Sequence, residues 1–144
     1  MFIRILRGQA YDGAATLAEV NRWRREFGAG VLGWRRLTAG IGDGGELVLA
    51  LRYDTEAAAR RDHDRPEMAA WQAAADRHLS GPGRWYDCPV VHTMKEGDAG
   101  EAGFVRVVQG RLADPVRLAA MRAEVERTLR DRAPHVLGVT VAEH

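Results

Sequence analysis

The sequence predicts an α+β fold in which a split β-α-β unit is followed by a partial second copy of itself. Three observations predict this fold. The segment FIRILRG at residues 2–8 recurs nearly intact as FVRVVQG at residues 104–110. Apolar residues alternate with the period of a strand in some segments and follow helical spacing in others. Glycine, proline and aspartate separate these segments, as turn residues do. The recurrence of this segment predicts that the chain contains two copies of one structural unit.

The first part of the chain predicts the element order strand, helix, strand, strand, helix, strand. The predicted bounds are 2–8, 13–27, 31–39, 46–53, 66–79 and 84–91. Asp54 or Thr55 can begin a helical turn ahead of Pro66, which interrupts that helix. The glycine-rich loop at residues 40–45 links the two middle strands by a hairpin. This order is that of the ferredoxin-like split β-α-β unit.

The repeat predicts a division of the chain into three parts. These are a ferredoxin-like module at residues 1–94, a linker at 95–103 and a partial second module at 104–144. The second module has a strand at 104–112, a helix at 114–132 and a strand at 136–142. In the split unit a third strand lies between the first two, so this copy has an empty slot with unpaired edges. A longer natural chain, a strand of the first module or a strand of another chain would fill the slot. We expect a shortened second module.

Composition excludes several classes of function. The chain has 144 residues, of which 46% are apolar and 28% are charged, a balance typical of a folded globular protein. Its net charge of +1 predicts no attraction to nucleic acid or to a membrane surface. No apolar run reaches the length of a membrane span, and no signal-peptide core follows the first residues. Cys88 is the only cysteine, which excludes an internal disulfide and predicts a cytoplasmic location.

Four segments carry a resemblance to a known family. They are the opening strand at 2–8, the pair Gly33-Trp34, the stretch ALRYDTEAA at 50–58 and the stretch RPEMAAW at 65–71. With the repeat, they make the chain resemble the dimeric α/β-barrel superfamily, in particular tandem-repeat proteins of unknown function related to the antibiotic biosynthesis monooxygenases. In that superfamily the sheets of two ferredoxin-like units face each other to form a barrel. The resemblance therefore implies a homodimer, or a barrel within one chain.

The resemblance also implies an activity, which is the cofactor-independent oxidation of a small aromatic or polyketide-like compound. In that chemistry the deprotonated substrate supplies electrons to oxygen, and the protein supplies a dry pocket, a base and donors that stabilise the anion. No cofactor and no metal are expected. The residues leave a second function open, that of a non-catalytic small-ligand-binding or assembly module with the same fold. Whether the chain is an enzyme is not decided by the sequence.

The candidate site residues come from the faces on which alternation places them. A guanidinium is costly to bury against helices, so we expect Arg4 on the sheet face that lines the barrel. There Arg4 would bind the substrate anion, and Trp34 and Trp71 would complete the substrate-binding pocket. Tyr86 and His92, expected on one face of the fourth strand, would transfer protons. For Arg4 the alternative is a salt bridge to a partner chain, or an interfacial arginine with a packed stem. For the other side chains the alternative is a packing role.

Three other patterns are weaker. Residues 40–45 fit the glycine pattern of dinucleotide-binding loops, but a strand follows them where that site needs a helix N-terminus. Asp62, His63 and Asp64 are adjacent, so on a helix they point in different directions and do not form a metal site. His78 lies seven residues after Trp71, which resembles the haem-degrading members of the superfamily. Their spacing is longer, however, so haem binding is only a third hypothesis.

Overall fold

The computed structural model describes residues 1–95, 97, 103–111 and 113–144. In chain order the elements are β1 (Phe2–Gln9), α1 (Gly13–Glu26), β2 (Trp34–Ile41), β3 (Glu46–Tyr53), α2 (Glu56–His63), α3 (Pro66–Asp76), β4 (Arg84–Cys88), β5 (Val90–Lys95), α4 (Pro115–Arg132) and β6 (Val139–Glu143). The chain forms two compact units. The first contains residues 1–91 and 142–144, and the second contains residues 92–141.

The sheet of the first unit has the strand order β2-β3-β1-β4. Strand β1 is antiparallel to both of its neighbours, and β2 is antiparallel to β3. Strands β1 and β2 are therefore parallel, with β3 between them, which is the arrangement of the split β-α-β unit. The predicted ferredoxin-like α+β fold is confirmed.

Side chains at the helix N-termini explain where the helices begin. Asp12 Oδ1 accepts a hydrogen bond from Ala15 N at 2.9 Å, and this bond caps α1. Thr55 Oγ1 accepts from Ala58 N at 3.1 Å and caps α2, which settles the choice that the sequence left between Asp54 and Thr55. Helix α3 begins at Pro66, whose missing N–H costs nothing in the first turn of a helix.

The core of the first unit lies between the sheet and its helices. Phe2 and Leu6 of β1 belong to this core, as do Leu49 and Leu51 of β3. Because strand side chains alternate, the even-numbered residues of β1 and the odd-numbered residues of β3 face the helices. We call the other side of the sheet the distal face. Its members are Ile3, Ile5, Arg7, Arg36, Thr38, Val48, Ala50, Arg52, Arg84, Tyr86 and Cys88.

The predicted fourth strand, at residues 84–91, is divided in two. Strand β4 ends at Cys88 and β5 begins at Val90, so the break falls on Pro89. Proline has no N–H to donate to a strand ladder, which is why a strand ends or is interrupted there. Tyr86 and His92 consequently lie on different strands, and the prediction that they share one face of a single strand is wrong.

The second unit contains α4 and most of a two-stranded sheet formed by β5 and β6. Asp114 Oδ1 caps α4 by accepting from Val116 N at 2.9 Å. Residues 104–111 lie in no helix or strand and are exposed, although alternation predicts a strand at 104–112. A strand forms as part of a sheet, and neither of the two sheets that the structure describes includes these residues.

Much of the predicted linker, residues 96 and 98–102, lies outside the described residues, as does residue 112. The domain bounds 1–94, 95–103 and 104–144 therefore stay predictions. Across the part of the chain that the structure describes, no helix is both long enough and apolar enough to cross a membrane.

Candidate functional site

Arg4 lies on the helix-covered face of the sheet, so the prediction that it faces the barrel interior is wrong. It shares this face with Phe2 and Leu6. Its Nε donates to Asp87 Oδ1 at 2.7 Å, and its guanidinium lies 5.0 Å from the centre of the Trp85 ring. The carboxylate satisfies the charge and the indole covers the guanidinium plane, which is why an arginine side chain only 11% exposed is tolerated there.

Trp34 and Trp71 lie in the same helix–sheet core and not on the distal face. Both pack against Trp23, with ring centres 5.4 Å and 6.4 Å from the Trp23 ring, respectively. Trp71 Nε1 donates to the carbonyl of Glu19 at 2.8 Å. The Trp34 indole N–H is buried and has no hydrogen-bond partner among the described residues. Arg4, Trp34 and Trp71 lie between the sheet and the helices, so they could contact only a ligand that enters there. Their substrate-binding role stays a prediction for such a ligand.

Tyr86 is the one predicted site residue that the structure places on the distal face of the first unit. It pairs across the sheet with Ile5 and is half-buried. The His144 imidazole lies 4.9 Å from the Tyr86 ring, and the Arg84 guanidinium lies 5.2 Å from its centre. His92 belongs to β5, in the second unit. The roles of Tyr86 and His92 in proton transfer stay predictions.

The distal face has an apolar centre bordered by arginines. Ile5 and Ala50 are directly opposite each other on the two central strands. The strand register places four arginines around them, namely Arg7, Arg36, Arg52 and Arg84. Apolar surface beside guanidinium groups is suited to a planar aromatic anion, because arginine both pairs with anionic oxygen and stacks on rings.

Sequence reasoning missed these four arginines because it assigned the helix-facing side of β1 to the wrong set of residues. The signal was present in β1 itself. Side chains two residues apart on a strand lie on the same face, so Arg7 shares a face with Ile3 and Ile5. Because Phe2 and Leu6 face the core, this other face is the distal face. The strand register then adds the other three arginines.

Cys88 and the described acidic residues do not provide a nucleophile or a metal site. Burial, followed by the charge of Asp87, raises the pKa of the Cys88 thiol, so the reactive thiolate is disfavoured. Among the residues that the structure describes, no group of three or more His, Cys, Asp or Glu side chains could hold a metal ion. A surface cleft of about 360 Å³ runs along α3 and contains none of the predicted site residues.

Beneath α2, the Tyr53 hydroxyl donates to Asp62 Oδ2 at 2.6 Å, and each residue is 1% exposed. Burial is the main cause that raises the pKa of Tyr53, and the hydrogen bond to the Asp62 carboxylate adds to it. The folded state therefore holds this proton more tightly than the unfolded state, whose tyrosine pKa is about 10.

We expect this pKa difference to make the folded state less stable in alkaline solution. Below about pH 10 the tyrosine is protonated in both states, and its contribution is constant. Above that pH the free energy of unfolding should fall by up to about 1.4 kcal/mol per pH unit, because only the unfolded state releases the proton. Urea unfolding between pH 8 and 11 measures the slope, with Tyr53→Phe as the test and the exposed Tyr11→Phe as the matched control. The raised pKa of the Cys88 thiol adds a slope of the same sign to every variant, so the test is the difference between variants. A slope above pH 10 that is as steep in Tyr53→Phe as in the unchanged protein would contradict this assignment.

Comparison with known proteins gives the class of the fold. No protein-family profile matches the chain, and no curated protein matches it. Several solved structures do match the fold of this chain. A monooxygenase from the ActVA-Orf6 gene of Streptomyces coelicolor, bound to nanaomycin D, is 19% identical with a TM-score of 0.53, over 62% of this chain and 86% of that one. SnoaB, a cofactor-independent oxygenase from Streptomyces nogalater, is 16% identical with a TM-score of 0.52, over 59% and 89%.

A third solved structure is a Caulobacter crescentus protein provisionally named an antibiotic biosynthesis monooxygenase. It is 12% identical with a TM-score of 0.56, over 63% of this chain and 90% of that one. The sheet order and these matches define the chain as a ferredoxin-like α+β protein. Within that class, it has the fold of the antibiotic biosynthesis monooxygenases.

Proposed function

We propose that this protein is a cofactor-independent monooxygenase that oxidises a small aromatic or polyketide-like compound on the distal face. The arginine-bordered apolar face is the observation that carries the proposal. Supporting it, two solved structures with this fold are described as a monooxygenase and as a cofactor-independent oxygenase. The non-catalytic alternative, a binding or assembly module, is not favoured.

The proposed reaction converts a methylene carbon beside an aromatic system into a carbonyl. Written in full, R₂CH₂ and O₂ give R₂C=O and H₂O. The substrate supplies all four electrons, so no external reductant is needed. It first loses a proton to form a resonance-stabilised anion, which then reduces oxygen. The protein must stabilise that anion and exclude water around it.

Residues of the distal face are assigned to these tasks. Arg84, beside Tyr86, takes the anion-binding role that the sequence suggested for Arg4. Tyr86 carries protons to or from the substrate. The proton-transfer role that the sequence suggests for His92, a residue of the second unit, stays a separate prediction. Pairing of this face with the same face of a second copy would close the pocket, so we propose a homodimer with a small-molecule substrate.

Oxygen uptake tests the proposal. We expect consumption of oxygen by the purified protein, without added metal, flavin or nicotinamide, when hydroxylated polycyclic aromatic compounds that have a methylene carbon beside an aromatic ring are supplied. Tyr86→Phe should lower the rate by about 10²-fold or more, since loss of a positioned proton donor or acceptor typically costs about 10²–10⁴-fold. Tyr11→Phe, a change at a tyrosine that is 67% exposed, is the matched control and should keep the rate.

Two results would count against the proposal. One is that no compound of a broad aromatic panel stimulates oxygen uptake while the protein still binds members of the panel, which would favour the non-catalytic module. The other is equal loss of activity in the Tyr86→Phe and Tyr11→Phe variants, which would assign the effect to general destabilisation.

A further inference from the structure

The proposed reaction starts with the loss of a proton, but the side chains assigned to the distal face are poor proton acceptors near neutral pH. Its four arginines keep their protons in proteins. The phenol of Tyr86 is a proton donor near neutral pH and a weak base. Burial raises the pKa of the Cys88 thiol, which disfavours the thiolate. The other residues assigned to the face have aliphatic side chains or, in Thr38, a hydroxyl, so none of them is suited to remove the proton.

Two nearby carboxylates do not supply the missing base. Glu46 has the parity of the distal residues of β3, but it lies four residues from Ala50, which is about 14 Å along a strand. Both of its carboxylate oxygens lie against Gly44 of the hairpin loop, at the end of the sheet. The carboxylate of Asp87 is on the other face, where it accepts from Arg4. A base for a compound bound over the apolar centre must therefore come from elsewhere in the first unit.

An imidazole lies at this face. Residues 142–144 belong to the first unit, and the ring of His144 lies 4.9 Å from the ring of Tyr86, with a tilt of 32° between the two planes. The pair is therefore closer to a stacked than to an edge-to-face arrangement, and stacking uses the ring faces and not the nitrogens at the ring edge. Because Tyr86 is directly opposite Ile5, the exposed His144 ring lies close to the apolar centre.

We infer, on the basis of the proposed function, that His144 is the base that removes the first proton from a substrate bound on the distal face. Neutral imidazole has a nitrogen lone pair that accepts a proton near neutral pH. In this step a C–H bond of the methylene breaks, its electron pair stays on the substrate, and an N–H bond forms on the imidazole. The charge of the imidazolium then adds to that of Arg84, whose guanidinium lies 5.2 Å from the Tyr86 ring, in stabilising the anion.

The proton held by His144 returns to oxygen once the anion has reduced it. Both hydrogens of the methylene end in the water molecule that leaves, one of them by way of His144, so the imidazole is neutral again when the reaction is complete. Tyr86, whose ring the His144 ring covers, donates a hydrogen bond to the reduced oxygen. The two rings therefore divide the work, since His144 accepts a proton from carbon and Tyr86 donates to oxygen.

Deuterium exchange at a methylene carbon, measured without oxygen, tests the base separately from the oxidation. The probe is 2-tetralone, whose C1 methylene lies between an aromatic ring and a carbonyl. In D₂O under nitrogen, we expect the protein to accelerate deuterium incorporation at that carbon, followed by proton NMR. His144→Ala should lower the protein-catalysed rate by about 10²-fold or more. His135→Ala, a change at another exposed histidine, is the matched control and should keep the rate.

Two further measurements separate a lost base from a lost packing contact. Free imidazole should restore exchange in His144→Ala in proportion to its concentration, because it can enter the space of the missing ring and accept the proton. His144→Phe retains a ring that can stack on Tyr86 but has no basic nitrogen, so it should be as slow as His144→Ala. Since His144 is exposed, far-ultraviolet circular dichroism should be the same for all three proteins.

Three results would overturn the assignment of His144 as the base. They are an unchanged rate of exchange in His144→Ala, a normal rate in His144→Phe, and no acceleration of exchange by the unchanged protein.

Oxygen uptake distinguishes this assignment from the proposed function. Exchange that depends on His144 without any oxygen uptake would support the base and overturn the monooxygenase function. Oxygen uptake that is equally fast in His144→Ala would support the monooxygenase function and overturn the base.

Discussion

Replacing Trp71 with alanine is expected to lower the free energy of unfolding by about 3–5 kcal/mol. Trp71 is 1% exposed and packs against Trp23, so truncation leaves a large cavity between α3 and α1. The substitution also removes the hydrogen bond from Trp71 Nε1 to the carbonyl of Glu19, which joins the two helices. A loss of this size is a large fraction of the 5–15 kcal/mol that usually holds a domain folded.

Urea unfolding followed by far-ultraviolet circular dichroism measures the effect. Trp71→Phe should lose less than Trp71→Ala, because a ring is retained and only the hydrogen bond and part of the packing are removed. Leu32→Ala is the surface control and should stay within about 0.5 kcal/mol of the unchanged protein. If Trp71→Ala also stayed within that margin, Trp71 would not be the core residue that its burial indicates.

Asp62→Ala should be the second most damaging change, with an expected loss of about 2–3 kcal/mol. The carboxylate accepts from the Tyr53 hydroxyl at 2.6 Å, and its other oxygen lies 3.4 Å from Arg65 Nη1. Its removal leaves the hydroxyl of Tyr53 buried without an acceptor. Leaving one partner buried and unpaired costs more stability than removing both partners of the hydrogen bond. Asp64→Ala, two residues further on and exposed, is the matched control.

A double-mutant cycle separates the Tyr53–Asp62 bond from general effects. Tyr53→Phe removes the donor, so Asp62→Ala in that background should cost about 1–2 kcal/mol less than in the unchanged protein. Additive losses in the double variant would show that the two groups do not stabilise each other, and would also undermine the alkaline pH dependence assigned to Tyr53.

The sequence was sufficient for the element order from β1 to β4, because alternation, capping residues and proline act locally. Asp12 and Pro66 begin helices where their chemistry predicts. The central position of β1 in the sheet is seen only in the structure. The single strand predicted at 84–91 is divided into β4 and β5, because Pro89 cannot donate a hydrogen bond to a strand ladder.

The site was predicted less well because the assignment of faces depends on partners that are distant in sequence. The sequence-based expectation that Arg4 lies on the sheet face that lines the barrel depends on the argument that a guanidinium should not face helices. That argument fails because Asp87, on a strand more than eighty residues later, accepts from Arg4 and Trp85 covers it. Nothing local to β1 signals this pair. Tyr86, by contrast, forms no buried ion pair among the described residues. Strand alternation alone determines its face, and it lies on the distal face.

The sheet order also determines when the first strand can be completed during synthesis. Chains emerge from the ribosome at about 5–20 residues per second, N-terminus first. Helix α1 can form early because its contacts are local, but β1 has to wait for β3, at Glu46–Tyr53, and then for β4, at Arg84–Cys88. Until then, its apolar side chains and both its edges are uncovered. Among the strands of this sheet, β1 therefore waits longest for its partners and most needs protection from incorrect pairing.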